Sequence, residues 1–214
     1  MSEEKRRAIL EVLQSKFPKE VVLTEKLPFA YCKDISNVKA IVLGCDPTNN
    51  LKSQNLKFAF GIGNKDQKLN MFFSGIECNL KEIGLSKDEV YIQNLCQNYF
   101  HNVTSKNKKW AKASAYWIPY LIDELTIFNT SVPVLLTSSY LYNVLKLGRK
   151  FPPSYYYECK EPVPIPAEHS KLNRPLIPFY RNRRKTDYHL SSGNWPEYQN
   201  RLKEIIHGKL RNHF

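Results

Sequence analysis

Residues 38–50 read VKAIVLGCDPTNN, and this stretch decides the fold. Its first part, VKAIVLG at 38–44, is apolar and β-branched and ends at a glycine, which is typical of a buried strand in a parallel sheet. A single carboxylate, Asp46, follows immediately. Because open parallel sheets bind ligands beyond the carboxyl ends of their strands, Asp46 is a candidate site residue. Read alone, DPTNN is more typical of a plain turn than of a site, since Asp, Pro and Asn are all favoured there.

Outside this stretch the chain alternates between segments that favour strands and segments that favour helices. This order predicts an α/β fold, a single-domain αβα sandwich around a central, mainly parallel four-stranded sheet. With 214 residues and no flexible linker, we expect one domain spanning 1–214. The further predicted strands are 89–95, 132–138 and 174–180, and the predicted helices are 3–16, 69–84, 108–128, 140–148 and 195–210.

The composition indicates the class of partner. A net charge of +12 and a pI near 9.4 favour a polyanion, nucleic acid before an acidic membrane, although a merely basic surface has the same composition. No apolar run approaches the roughly 20 residues that span a bilayer, and the first ten residues lack a signal-peptide core. We therefore expect an intracellular protein, cytoplasmic or, in a eukaryote, nuclear. The five cysteines form no C-x-x-C pair, which favours buried free thiols over a metal centre.

Two further segments near strand ends carry side chains suited to binding a nucleic-acid base. KFAFGIG at 57–63 places Phe60 before glycines that allow a flat group to approach closely. Asn94, at the end of the second predicted strand, offers the carbonyl and the amide that read a base edge bidentately. Each has an ordinary alternative, because aromatic side chains commonly belong to the core and asparagine commonly caps a helix.

The last predicted strand runs into a basic segment, PFYRNRRK at 178–185. Its cations would hold phosphates at the mouth of a cleft, although a solvated loop has a similar composition. All of these signals fall at one edge of the predicted sheet, so we expect one site there. The predicted DNA-binding residues are Arg181, Arg183, Arg184 and Lys185.

Together these segments resemble the uracil-DNA glycosylase superfamily. GCDPTN, residues 44–49, is similar to the Gly-Gln-Asp-Pro-Tyr-His motif that follows the first strand of that family. AFGI with Phe60 is similar to a Cys-Phe-Ser-Val-like stretch that carries a base-stacking phenylalanine, and YIQNL with Asn94 is similar to a Leu-Leu-Asn strand end. The order of elements agrees over about residues 38–206, so the resemblance implies one glycosylase-like domain.

The resemblance implies hydrolysis of an N-glycosidic bond in DNA, with uracil as the first expected base. Departure of the base leaves positive charge on the sugar and negative charge on the base, so a carboxylate is needed on one side and donors on the other. Asp46 would stabilise the sugar and orient a water, Phe60 would stack on the flipped base, and Asn94 would read its edge. No metal or other cofactor is required. We expect a monomer that acts on single- or double-stranded DNA and not on membranes.

The chain departs from the family most clearly in its last motif. There the family has His-Pro-Ser-Pro, whose histidine donates to the leaving base, whereas LIPFYRNRRK contains no histidine. Asn182 is the candidate catalytic donor in its place. Arg181 is an alternative from the same segment, and His169 or His189 would reach the site from flanking loops.

The loop after the first strand also departs from the family. Thr48, a candidate base-binding residue, replaces the tyrosine that blocks the 5-methyl group of thymine, and exclusion of thymine does not follow from a smaller side chain. Asn49 replaces the motif histidine. Two other classes of function stay open: a catalytically inactive nucleic-acid-binding protein with a glycosylase-like fold, and a hydrolase of free nucleosides or other small glycosides. The missing histidine favours the first, the basic segment argues against the second, and Asp46 favours the glycosylase.

Overall fold

The central element of the computed structural model, which describes residues 3–24, 26–47, 56–64, 67–179 and 195–208, is a parallel sheet. Its strands pair in the order β2-β1-β3-β4. Every strand residue is buried. Because alternate side chains of a strand point to opposite faces, both faces of the sheet are covered. The strands are β1 (Ala40–Gly44), β2 (Val90–Asn94), β3 (Val134–Leu136) and β4 (Leu176–Pro178).

The described residues form six α-helices, which provide this cover. On one side α3 contacts both α1 and α4. On the other, Gln199 of α6 donates a hydrogen bond to Glu82 of α2, and the Tyr198 hydroxyl donates to the Pro178 carbonyl of β4. The helices are α1 (Glu3–Lys16), α2 (Gln67–Glu82), α3 (Trp110–Leu125), α4 (Ser139–Leu145), α5 (Pro153–Tyr157) and α6 (Trp195–Ile206).

The predicted α/β fold is confirmed, and each predicted strand is present although shorter at its ends. Helix α5 was not predicted, because a five-residue helix is too short to show a helical period. No helix in the described part of the chain has both the length and the apolarity needed to cross a membrane.

The strand order determines where a ligand cleft would lie. The connection that leaves β1 leads to β2 on one side, whereas the connection that leaves β3 leads to β4 on the other. Chains that diverge in this way open a crevice at the carboxyl ends of the two strands. Asp46 follows β1, and Thr137 follows β3 and donates a hydrogen bond of 2.9 Å to the Leu43 carbonyl. The topology therefore puts Asp46 beside this crevice.

Candidate active site

The end of β1, the turn that carries Phe60 and the end of β2 that carries Asn94 meet at Gly44, the last residue of β1. Gly44 lies opposite Asn94 in the parallel register of β1 and β2. A Cβ atom on Gly44 would lie 2.3 Å from Asn94 Oδ1 and 2.5 Å from Phe60 Cζ. Such distances are far below van der Waals contact, so the Asn94 amide and the Phe60 ring occupy the space that a side chain would take. Glycine at this position is what allows both groups to reach the end of β1.

Phe60 has an unusual backbone conformation. Its φ of 58° and ψ of 9° place it in the left-handed region, which is rarely adopted by a bulky residue. Its ring is half-buried and packs edge-on against Phe73 of α2, with 6.0 Å between ring centroids. Strain of this kind concentrates at binding and catalytic sites, where it aims a side chain. The short turn Ala59–Gly61 thus presents the Phe60 ring next to Asn94.

Asn94 is held by its backbone, and no described residue pairs with its side chain. Its N–H donates a hydrogen bond of 2.9 Å to Gln93 Oε1. Among the described residues the side-chain amide has no hydrogen-bond partner, although Asn94 is only 3% exposed. Its unused hydrogen-bonding capacity makes the Asn94 amide a candidate for pairing with a ligand.

Asp46 is half-buried and lies two residues beyond Gly44. The Thr104 hydroxyl donates a hydrogen bond of 2.5 Å to Asp46 Oδ2, which orients the carboxylate. Burial raises the pKa of the Cys96 thiol well above its usual range, and the nearby Asp46 carboxylate adds to the shift. Cys96 therefore stays a neutral thiol under the carboxylate and is not a nucleophile. Sequence reasoning missed Thr104, since nothing local marks a threonine that reaches a loop 58 residues earlier.

Asp46 has no acidic neighbours in the chain segments that directly follow β1, β2 and β3. It is the only Asp or Glu within residues 40–65, and residues 90–122 and 125–157 contain none. These segments include the loops that follow β1, β2 and β3. A single carboxylate in basic surroundings is suited to stabilising a cationic centre on a polyanion that those surroundings attract.

Several predicted residues lie outside the described part of the chain, and the predictions about them stay open. His169, which was considered as an alternative donor, is described and is exposed. Its carbonyl accepts a hydrogen bond from Leu147 N just beyond the end of α4. Because α4 starts at the carboxyl end of β3 and runs away from it, His169 lies at the opposite edge from Asp46. The residues outside the described ranges are Thr48, Arg181, Asn182, Arg183, Arg184 and Lys185, with Asn49 and His189.

A second polar group of residues, the inner polar cluster, lies behind β2 and consists of Arg6, Gln93, Gln97 and Glu124. Arg6 Nε donates to Gln97 Oε1 at 2.6 Å, and Gln97 Nε2 donates to Glu124 Oε2 at 3.1 Å. Gln93 Nε2 donates to Glu124 Oε1 at 3.3 Å. Burial raises the pKa of Glu124, and hydrogen bonds from Gln93 and its other donors oppose the shift.

The inner polar cluster forms part of the wall of a cavity of about 510 Å³. Aromatic and aliphatic side chains complete the lining, among them Phe29, Tyr91, Tyr120 and Ile127. A cavity of this size would accept a small ligand. Its polar groups are already bonded to one another, however, and Gln93 also accepts the hydrogen bond that fixes Asn94 N. The polar side chains of the cavity wall therefore stabilise β2. The amide without a described partner, that of Asn94, lies at the candidate active site.

The described residues include no group of three or more His, Cys, Asp or Glu side chains arranged to hold a metal ion. The site is thus defined by one carboxylate, one aromatic ring and one amide. No family model matches this chain, and no curated protein sequence matches it either.

Proposed function

We propose that this protein is a DNA glycosylase that flips a base, uracil first, out of DNA and hydrolyses its N-glycosidic bond. The observation that carries the proposal is the meeting of Phe60 and the unpaired Asn94 amide at Gly44, two residues before Asp46. A flat face, a donor–acceptor pair and a carboxylate are the three groups that this reaction needs. The net charge of +12 supports a polyanionic substrate.

Phe60 and Asn94 together form a pocket for a planar heterocycle. The Phe60 ring stacks on a base that has left the duplex, which recovers part of the few kcal/mol lost on unstacking. The Asn94 carbonyl accepts from a ring N–H, and its amide donates to a neighbouring carbonyl oxygen. Uracil offers this pair at N3 and O4. Cytosine presents the opposite pattern at the same positions, and a site that hydrogen-bonds one pattern rejects the other strongly.

Asp46 acts on the sugar. As the bond between the base and C1′ breaks, the bonding electrons leave with the base, and the sugar acquires positive charge that the carboxylate stabilises. Thr104 keeps the carboxylate oriented, and Asp46 positions the water. The water oxygen bonds to C1′, and the proton that it loses passes through solvent to the departed base anion. The products are an abasic site and the free base. Donation to the departing base is assigned to Asn182, which lies outside the described residues.

An excision assay tests this proposal. The parent protein is incubated with uracil-containing single- and double-stranded oligonucleotides, and abasic sites are cleaved with alkali. Asp46→Asn should lower single-turnover excision at least about 100-fold, since it removes the charge that stabilises the sugar cation. Its affinity for DNA should stay equal or rise slightly, because an anion that faces phosphates is lost.

Asp123→Asn is the matched control, because Asp123 is an exposed carboxylate at the far end of α3 and the charge change is the same. It should excise at the parental rate. Equal rates for Asp46→Asn and the parent would refute the role of Asp46. A parent that binds DNA but produces no strand break with uracil, hypoxanthine or mismatched substrates would instead favour the non-catalytic binding protein, in line with the missing motif histidine.

A further inference from the structure

Four lysines are clustered around the start of α3, and we call them the α3 lysine patch: Lys106, Lys108, Lys109 and Lys112. All four side chains are exposed. None of the ion pairs between described residues involves them. The segment that carries them, residues 90–122, contains no Asp or Glu. The α3 lysine patch is therefore a concentrated positive surface.

The patch does not serve the stability of its own helix. The first turn of α3 has no acidic residue and the last turn has no basic residue. Lys109 and Lys112 lie at the positive end of the helix dipole, and Asp123 and Glu124 lie at the negative end. Each such placement is unfavourable, by about 0.3–1 kcal/mol at an exposed site. Charges that oppose the dipole at both ends of one helix indicate a requirement other than folding.

The patch lies at the same edge of the sheet as the candidate active site. Thr104, which hydrogen-bonds Asp46, begins the short turn Thr104–Lys106 that leads into the patch. Trp110, the first residue of α3, packs edge-on against Tyr140 at the start of α4, with 6.3 Å between ring centroids. Tyr140 is 40% exposed, so an aromatic surface borders the lysines. Cations interleaved with an exposed aromatic ring are typical of nucleic-acid-binding surfaces.

Two side-chain donors between this turn and the start of α3 have no acceptor among the described residues. Asn107 Nδ2 and Trp110 Nε1 are buried, and neither has a hydrogen-bond partner within the described structure. Asn107 is 8% exposed and Trp110 is 2% exposed. Asn107 Oδ1, in contrast, accepts from Lys109 N at 3.0 Å in the turn that precedes α3. Both donors are enclosed by protein, so the exposed lysines, and not these donors, make this surface favourable for an anion.

We propose that the α3 lysine patch binds phosphates of the DNA strand next to the nucleotide that is flipped toward Asp46. This inference rests on the proposed function, because it places the flipped nucleotide at Asp46. It assigns DNA contacts to residues other than the predicted segment 181–185. A strand that crosses the carboxyl edge of the sheet meets the patch beside Thr104, so the lysines attract the DNA and fix its position relative to the carboxylate.

The experiment measures DNA affinity by fluorescence anisotropy with an undamaged duplex and an undamaged single strand over a series of salt concentrations. The test variant is Lys108→Ala/Lys109→Ala. It should weaken binding to both probes about ten- to a hundredfold near 0.1 M salt, and it should reduce the slope of log K against log salt by about 2, since roughly 0.9 counterions are released per duplex phosphate contact. Its thermal unfolding temperature should stay equal or rise, because the lost charges oppose the helix dipole.

The matched control is Lys87→Ala/Lys203→Ala, which removes the same charge from exposed lysines distant from this edge. Lys87 precedes the amino end of β2, and Lys203 lies near the end of α6. The control should keep the parental salt slope. Equal losses of DNA affinity in both double variants would show an effect of net charge alone. An unchanged salt slope in the test variant would show that the patch does not contact DNA phosphates. Either result overturns the inference.

The undamaged probes separate this inference from the proposed function. If Lys108→Ala/Lys109→Ala loses affinity while Asp46→Asn excises like the parent, the α3 lysine patch binds DNA and the glycosylase proposal is wrong. If Asp46→Asn loses excision while the lysine variant binds like the parent, the glycosylase proposal is supported and the inference about the patch is wrong. A loss of binding to vesicles rich in phosphatidylserine, without a loss of binding to DNA, would assign the patch to a membrane and overturn the inference.

Discussion

Asn94 and Asn98 are buried asparagines four residues apart, and their side chains differ in one respect. Asn98 donates to the Tyr99 carbonyl at 3.1 Å and accepts from Trp117 Nε1 at 2.8 Å, so its amide is paired at both ends. The Asn94 amide has no partner among the described residues and lies against Gly44 and Phe60. Asn98 resembles the inner polar cluster in this respect, and Asn94 belongs to the candidate active site.

This difference distinguishes polar groups that stabilise the fold from candidates for binding a ligand. Folding tends to satisfy every buried donor and acceptor, and the inner polar cluster does so through Gln93, Gln97 and Glu124. A group that must bind a ligand has to keep its hydrogen-bonding capacity unused in the free protein, at a cost in stability. Burial alone does not distinguish the two kinds of site, but the pattern of pairing does.

The largest expected effect comes from filling the space at Gly44. In Gly44→Ala the new methyl group would overlap Asn94 Oδ1 and the Phe60 ring, so both must move. Misplacement of about 1 Å lowers catalysis about 100-fold, and we expect a loss of excision of this size in single-turnover assays. Urea unfolding should show a loss of about 1–3 kcal/mol from overpacking. A variant that excises at the parental rate would show that Phe60 and Asn94 do not form the base pocket.

A pair of alanine variants tests the comparison of the two asparagines. Asn98→Ala should lower the free energy of unfolding by about 2–3 kcal/mol, because it leaves the buried Trp117 N–H without an acceptor. Asn94→Ala should lower it by less than about 0.5 kcal/mol, because no hydrogen bond of the described structure is broken. In excision assays Asn94→Ala should have the larger effect of the two variants, because it loses both rate and discrimination between bases. Urea unfolding and competition between uracil and cytosine substrates measure the two effects, and equal destabilisation by both variants would contradict the distinction.

The smallest expected effect concerns the inner polar cluster and its dependence on pH. Burial raises the pKa of Glu124 above its ordinary 4.5, so the folded state binds this proton more tightly than the unfolded state. The resulting stabilisation is complete below about pH 4.5 and is lost as pH rises through the raised pKa. Glu124→Gln removes this dependence. The stability of the variant relative to the parent should therefore rise as the pH is increased from 4 to 8, as measured by urea unfolding at several pH values.

The exposed residue Glu11 on α1 provides the control for this experiment, and Glu11→Gln should follow the pH profile of the parent. Glu124→Gln should also leave excision within about threefold of the parental rate, as expected for a residue whose contacts are structural. A large loss of excision with unchanged stability would show that the inner polar cluster takes part in the reaction.

The sequence alone determined the strands, the longer helices and the edge of the sheet at which the candidate site lies. Short β-branched runs such as VKAIVLG specify buried strands, and α1 was predicted with the bounds it has, 3–16, because both signals are local. The position of Asp46 after the first strand followed from the same local pattern. Short elements such as α5 leave no periodic signal, and there the sequence was uninformative.

Only the tertiary structure decided which polar groups are paired and which converge. Gly44 meets Asn94 because β1 and β2 pair in one register, and Phe60 joins them through a left-handed backbone that no phenylalanine favours by itself. Thr104 reaches Asp46 across 58 residues of sequence. Contacts of this kind arise from the simultaneous packing of distant segments, and propensity and periodicity, which act over a few residues, carry no information about them.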